Sequence, residues 1–340
     1  MARCDPGCQN ARVTRRIDTG RKGHGRLGVS VQFPSRLVLF ALAGCAIALL
    51  FSGLLQSRPA VVLYASQDQV YAEPILKEFE REIGIRVRTV FDGEAAKTVA
   101  IAMRLMAERG HPRCDVYWGN EELRTRQLAA GGVFRLTNGW AAFGYRSRRV
   151  ALSVITSNPP PPRSLVELTN VAFRGRVALA YPMFGTTATH LLALRQHWGE
   201  SNWLSWCGAL AANQPFIVDG NSVAARFAAR GEVVAALTDS DDIAAEIREG
   251  GRLSALPITA ETLLIPNTVA VIRGGPNPGG AQRLFEFLQR PEIIARLVAV
   301  RALEGISVAD VTTPTLRPDW DRMLRELEPA TVALQRIFRR

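Results

Sequence analysis

Five times along this chain a short apolar run ends in a cluster of small polar or acidic residues, and residues at helical spacing follow at once. "VVLY" precedes Ser66, Gln67 and Asp68, and "DVY" precedes Trp118, Asn120 and Glu121. "VALAYPMF" precedes Gly185, Thr186 and Thr187, "FIVDG" precedes Asn221 and Ser222, and "VVAAL" precedes Thr238, Asp239, Asp241 and Asp242. Short apolar runs suit buried strands, whereas apolar residues three and four apart suit amphipathic helices. Repeated strand–helix alternation predicts an α/β fold with a mostly parallel sheet and helices on both faces. In open sheets of this kind ligands bind beyond the carboxyl ends of the strands, where helix N-termini offer backbone N–H groups. All five turns share that topological position, so their polar residues are the candidate ligand-binding set.

The alternation is punctuated in the expected ways. "VYAEPILKEFEREIG" reads as a helix with Gly84 as its C-cap, "IRVRTVF" as a strand, and about Glu94 to Arg109 as a second helix. "NPPPPRSL" suits only a surface connection. Beyond it the pattern restarts, "TLLIPNTVAVIRGG" reads as one or two strands returning to the first sheet, and "AQRLFEFLQRPEIIARLVAV" reads as a helix pair broken at Pro291. The predicted organisation is lobe 1 over residues 60–150, lobe 2 over 151–265, and a return segment over 266–340 that completes lobe 1 and adds C-terminal helices.

The charge balance excludes one function class. The net charge is +11, but residues 1–58 hold nine Lys/Arg against Asp5 and Asp18, so +7 lies there and only +4 is spread over the rest. Nucleic-acid binding by the folded part therefore loses its electrostatic support. The basic leader, residues 1–36, precedes "LVLFALAGCAIALLFSGLL", residues 37–55, an uncharged stretch that nearly spans a hydrocarbon core as a helix. Three readings stand: an uncleaved transmembrane anchor, a lipoprotein whose Leu42-Ala43-Gly44-Cys45 is a lipobox, and a signal segment cleaved near Arg58. Each exports the domain, and the first two tether it to the cytoplasmic membrane on the periplasmic or extracytoplasmic side.

Structural readings compete at each turn. Ser66, Thr186 and Asn221 are good N-caps, and Asp241 and Asp242 fall in a first helical turn, where the macrodipole favours anions. One acid meets that need; three together repel one another and require a partner cation, a ligand or solvent. Asp239-Ser240-Asp241 after a strand mimics the start of a phosphohydrolase site with Asp239 as nucleophile and Asp241 as acid/base. The further strand-end carboxylates for Mg²⁺ are missing from the sequence, so a non-enzymatic reading leads and the acid-cluster phosphohydrolase is the alternative. Cys114 and Cys207 read as unpaired buried thiols, with pairing in an oxidising compartment as the alternative, and His190 as a satisfied or partly buried histidine.

Taken together, "VVLYASQDQVYAEPILKEFEREIGIRV", "DVYWGNEE", "GRVALAYPMFGTTATH", "GNSVAARFAARGEVVAAL" and "GGAQRLFEFLQRPEI" make the chain resemble the extracellular solute-binding proteins of bacterial ABC importers, nearest the periplasmic ferric-iron-binding type. The resemblance implies the class II periplasmic-binding-protein fold, two α/β lobes joined by crossover strands that close on a solute. It implies delivery to an ABC permease and ATPase, with a ligand-sensing adaptor on the same fold as a further alternative. In iron-binding members a histidine, a glutamate and two tyrosines hold Fe³⁺. Those places fall here on Asp68, on Asn120 with Glu121 adjacent, and on Asp241 and Asp242. The family's anion site falls on Gly185, Thr186 and Asn221, with Asp239 replacing a further asparagine. No cofactor is required; Asp68, Glu121, Asp241 and Asp242 offer hard oxygen ligands to a transported cation such as Fe³⁺, and Thr186, Thr187 and Asn221 suit a small anionic group.

Overall fold

The computed structural model describes residues 60–91, 97–156 and 158–338. The basic leader 1–36 and the apolar segment 37–55, with the anchor, lipid and cleavage readings attached to them, lie outside those residues. Among the described residues no helix is long and apolar enough to cross a membrane.

The expected alternation is present. β1 (Val61–Ala65) leads to α1 (Gln69–Ile83), β2 (Val87–Phe91) to α2 (Lys97–Ala107), and β3 (Val116–Gly119) to α3 (Glu122–Ala130). Gly84 ends α1 with φ +70° and donates its N–H to the Glu80 carbonyl, the left-handed C-cap that glycine permits. After β4 (Trp140–Ser153), the pairs are β5 (Val177–Ala180) with α4 (Gly185–Trp198) and α5 (Glu200–Ala212), β6 (Phe216–Val218) with α6 (Asn221–Ala229), and β7 (Ala235–Asp239) with α7 (Ser240–Arg248). Then come β8 (Leu253–Ala255), β9 (Leu264–Val271), α8 (Pro278–Leu288), α9 (Pro291–Ala299) and α10 (Trp320–Phe338). The break at Pro291 is where expected, with proline in the first turn of α9, where its missing N–H removes no helical bond.

The strands are ordered β2-β1-β3-β9-β4-β7-β5-β6, with β8 also on β4. Both ends of this ladder are parallel, but β3–β9, β9–β4 and β4–β7 are antiparallel. The sheet is thus more mixed than the alternation implied, because β4 and β9 are long strands that run between lobes rather than βαβ units. β4 pairs with β9 from Trp140 to Ser147 and with β7 from Arg148 to Leu152, passing from one sheet to the other within a single strand. β9 is buried at all eight positions, consistent with a central strand covered on both faces. Its apolar run was legible in sequence; β4, interrupted by "YRSRR", was not.

A register shift separates Phe143 from Arg146 in the β4–β9 pairing, and Gly144 sits in it with φ +55°. A Cβ there would collide with Leu303, so both the left-handed backbone and the contact require glycine. Bulges of this kind re-aim the side chains that follow, here Arg146 and Arg148. Around the ladder the cores are separate. One joins β1, β3, β9, α1, α8 and α9 through Phe79, Phe285, Phe287 and Leu297. Another joins β5, β7, α4 and α5 through Trp203, Leu191 and Leu237, and takes in Met323, Leu327 and Leu334 of α10.

Candidate functional site

Four helices begin around one cavity between the lobes. It is about 70 Å³ in volume and is lined by Asp68 before α1, by Phe184 to Thr187 at α4, by Gly220 and Asn221 at α6, and by Asp239, Asp241 and Asp242 at α7. None of these four helices has a side-chain hydrogen bond closing its N-terminus. α3 is the exception among the five expected turns. Glu121 caps it, accepting from Leu123 N at 2.9 Å and Arg124 N at 3.1 Å, and takes a third bond from Thr189 Oγ1 at 3.2 Å. The carboxylate expected to bind metal is therefore fully buried and committed to its own helix, and Asn120 faces the cavity instead. Glu121→Gln is expected to lower the unfolding free energy by about 1–2 kcal/mol while leaving solute affinity unchanged; urea unfolding with parallel titration calorimetry reads both.

Of the remaining candidates, Asp68, Asn120, Gly185, Thr186, Thr187, Asn221, Asp239, Asp241 and Asp242 line the cavity, whereas Ser66, Gln67, Trp118, Ser222 and Thr238 do not. Ser66 lies 3.4 Å from the Tyr117 hydroxyl, and Gln67 accepts from Asn267 Nδ2 at 2.8 Å. The Trp118 ring packs near Phe143. Thr238 donates within 2.8 Å of the Asn221 carbonyl and 3.1 Å of Asp242 Oδ2, supporting the lining residues from behind.

Two side chains that sequence reasoning missed organise the site. Arg148 on β4 stands opposite Asp239 on β7, and its Nη1 donates to Asp239 Oδ1 at 2.7 Å and to Asn221 Oδ1 at 2.9 Å. Weaker bonds of 3.3 Å reach Thr186, Thr187 and the Leu237 carbonyl. The other Asp239 oxygen accepts from Thr186 Oγ1 at 2.8 Å and Asn221 Nδ2 at 3.3 Å. Two residues earlier, on the same face of the strand, Arg146 lines the cavity and donates to Asp241 Oδ2 at 2.8 Å. These guanidinium groups are the partner cations that three clustered aspartates demanded. In the sequence only the i, i+2 spacing of Arg146 and Arg148 within "YRSRR" hints that both turn to one face of a strand.

The electrostatics remain acidic. Asp239, Asp241 and Asp242 have carboxylate oxygens within 4.8 Å of one another, and Asp68 lines the same cavity, against two arginines. Burial would raise Asp239, but Arg148 and Arg146 outweigh it and hold its carboxyl below the usual range. Burial pushes Asp241 up to about 6, against Arg146 and with the repulsion of Asp239 and Asp68. Asp242 rises well above the usual carboxylate range, through its depth in the cleft and then through Asp241, Asp239 and Asp68. Asp241 Oδ1 is buried and accepts no hydrogen bond. His190 is pushed down to about 3 by burial and by the Arg148 charge; its Nε2 lies 2.8 Å from the Glu261 carbonyl while its buried Nδ1 has no hydrogen-bond partner, so it is a neutral buried histidine that is only half satisfied. Cys114 and Cys207 are buried and free. At the cavity rim Tyr181 and Phe184 stack with centroids 5.6 Å apart, an aromatic pair hidden in a turn that the sequence marks only by proline.

Solved structures share this architecture. Iron-bound HitA from Pseudomonas aeruginosa superposes with a TM-score of 0.69 at 20% identity, covering 82% of this chain and 99% of that one. The ferric binding protein from Campylobacter jejuni gives 0.68 at 16% identity, with 82% and 99% covered. AfuA from Actinobacillus pleuropneumoniae, with exogenous fructose-6-phosphate bound, gives 0.66 at 18% identity, with 82% and 96% covered. These likenesses establish the two-lobed periplasmic-binding fold. No curated protein sequence matches significantly. The family model described as bacterial extracellular solute-binding protein matches residues 60–299. With that match over most of its length, and with a polar cavity set between two lobes joined by crossover strands, the chain belongs to the bacterial extracellular solute-binding proteins.

Proposed function

We propose that this protein captures a compact cation, Fe³⁺ included, or a small cation-bearing solute between its lobes and hands it to the permease and ATPase of an ABC importer. The observation that carries this reading is the carboxylate group of Asp239, Asp241 and Asp242, with Asp241 Oδ1 buried, without a hydrogen-bond partner and on the cavity wall. A buried acceptor left unmade costs about 1–3 kcal/mol, which a bound cation recovers. The cavity's roughly 70 Å³ is far below the about 300–1,000 Å³ of pockets for larger organic ligands, which favours an ion with a small companion group. The open N-termini of α4 and α6 suit that companion if it is anionic. Neighbours solved with iron and with a sugar phosphate support both chemistries on this fold.

The phosphohydrolase alternative is disfavoured, since both Asp239 oxygens are held by Arg148, Thr186 and Asn221 rather than presented as a nucleophile. The lobe division at residues 60–150 and 151–265 belongs to this reading, with α8 and α9 assigned to the first lobe and α10 to the second by the cores they join. Membrane attachment through residues 37–55, by the apolar segment or by lipid on Cys45, belongs to it too and places capture outside the cytoplasmic membrane.

The test is titration calorimetry and thermal unfolding of metal-free protein with Fe³⁺ supplied as its nitrilotriacetate chelate, Mn²⁺, Ca²⁺, spermidine, inorganic phosphate and fructose 6-phosphate. At least one cation should stabilise the protein, and Asp242→Asn should weaken that cation by about tenfold or more. Stabilisation by the anions alone would overturn the reading.

A further inference from the structure

We propose that Arg146 is a tethered counter-cation that a ligand must displace from Asp241, and that this competition restricts the cleft to multivalent cations. The inference rests on the cation reading above and adds a charge filter to it. Arg146 is 3% exposed and joins the two walls of the cleft. Its Nη1 donates to Asp241 Oδ2 at 2.8 Å in α7, and its Nη2 donates to the Asn120 carbonyl at 2.5 Å in the turn between β3 and α3.

The pairing with Asp241 is incomplete on both sides. Arg146 Nε donates to nothing and Asp241 Oδ1 accepts nothing, although both atoms are buried. A forked arginine–carboxylate pair would satisfy both atoms. The single bond instead leaves Asp241 one oxygen for a ligand. Arg148 Nε is likewise without a partner, but its two terminal nitrogens reach Asp239, Asn221, Thr186, Thr187 and the Leu237 carbonyl, whereas those of Arg146 reach Asp241, the Asn120 carbonyl and, at 3.9 Å, Asp239. Of the two arginines, Arg146 is the one free to yield its carboxylate.

The selectivity follows from charge. At equal distance a cation's attraction to a carboxylate scales with its charge. A monovalent ammonium that displaces Arg146 exchanges one ion pair for an equal one and gives up its own hydration. A divalent or trivalent ion gives up more hydration, but it gains two or three times what the guanidinium loses at each of the three converging carboxylates of Asp239, Asp241 and Asp242. Arg146 is thus a specificity-determining residue acting through Asp241, and the ligand class is a small multivalent metal ion.

Titration calorimetry of the purified protein with Ga³⁺ as its nitrilotriacetate chelate, Mn²⁺ and methylammonium tests this. Wild type should bind a metal and not methylammonium. Arg146→Gln should gain methylammonium binding and narrow the metal-to-ammonium affinity ratio by about tenfold or more. Arg146→Lys, which keeps the tethered charge, should retain the wild-type ratio. An unchanged ratio in Arg146→Gln overturns the charge filter while leaving cation capture intact; a wild type that binds no cation ends both. If the glutamine variant does not fold, a crystal structure of metal-loaded wild type decides. The Arg146 Nη1 to Asp241 Oδ2 separation should open beyond about 4 Å, the limit of an ion pair, and a contact kept at its present length refutes displacement.

Discussion

Arg148→Met is expected to lower the unfolding free energy of the metal-free protein by about 3–5 kcal/mol, the usual loss when one partner of a buried ion pair is removed. Methionine matches much of the arginine stem, so the loss reports on the guanidinium rather than on volume. The Arg148 side chain is fully buried, and without it the cation left to Asp239 would be the more distant Arg146, at 3.9 Å. Thr186, Thr187 and Asn221 would lose their shared donor at the same moment. Adding Asp239→Leu should recover a substantial part of the loss, because removing both charges leaves no isolated carboxylate in the interior. Urea unfolding of the wild type, both single variants and the double variant gives the coupling directly. A single-variant loss below about 1 kcal/mol would mean that water reaches Asp239 and that the buried network is weaker than its geometry indicates.

The network also shows what the sequence conveys and what it hides. The β–α alternation, the Gly84 cap and the break at Pro291 rest on interactions within a few residues, which is why they were legible. The five polar turns were legible for the same reason, and nine of their residues meet at one cavity. Which turn residues face that cavity depends on partners far along the chain. Glu121 is a cap rather than a ligand because Thr189 and the α3 backbone take its oxygens. β4 was hidden because its arginines are buried, against the ordinary preference of arginine for the surface. Their burial is intelligible only once Asp239 and Asp241 are brought beside them, from about ninety residues away.

The second large effect is on pH. Cation affinity is expected to increase by about tenfold per pH unit as pH rises towards 6 through the Asp241 proton, with the raised Asp242 carboxyl extending the rise in the same direction. The Asp241 carboxyl is raised to about 6 in the folded protein, so below that value a cation must expel its proton before binding. Without a cation the sign is opposite. A raised carboxyl gives stability that is present below the unfolded value near 4 and is lost as pH climbs through about 6. Asp242 acts in the same direction. Asp239, held low by its arginines, does the reverse, giving stability above about 4 that fades only as pH falls through its depressed value. Urea unfolding and calorimetry at pH 5 and pH 7, with Mn²⁺ as a probe that stays soluble across that range, read both trends. Equal affinities at the two pH values would show that the aspartates carry no proton for the cation to replace.

Along β4, Arg146 and Arg148 turn towards Asp241 and Asp239 while the intervening Ser147 and the following Arg149 turn the other way. There Arg149 Nε donates to Ser147 Oγ at 2.7 Å and its Nη1 to the Leu256 carbonyl at 2.9 Å, and both Ser147 and Arg149 bind Glu304. One peptide step, roughly 3.3 Å along a strand, therefore separates the side chains that hold the cleft aspartates from those that tie β4 to Glu304. Because side chains alternate along a strand, a one-residue slip of β4 would exchange its two faces, turning Ser147 and Arg149 to the cleft aspartates and Arg146 and Arg148 to Glu304.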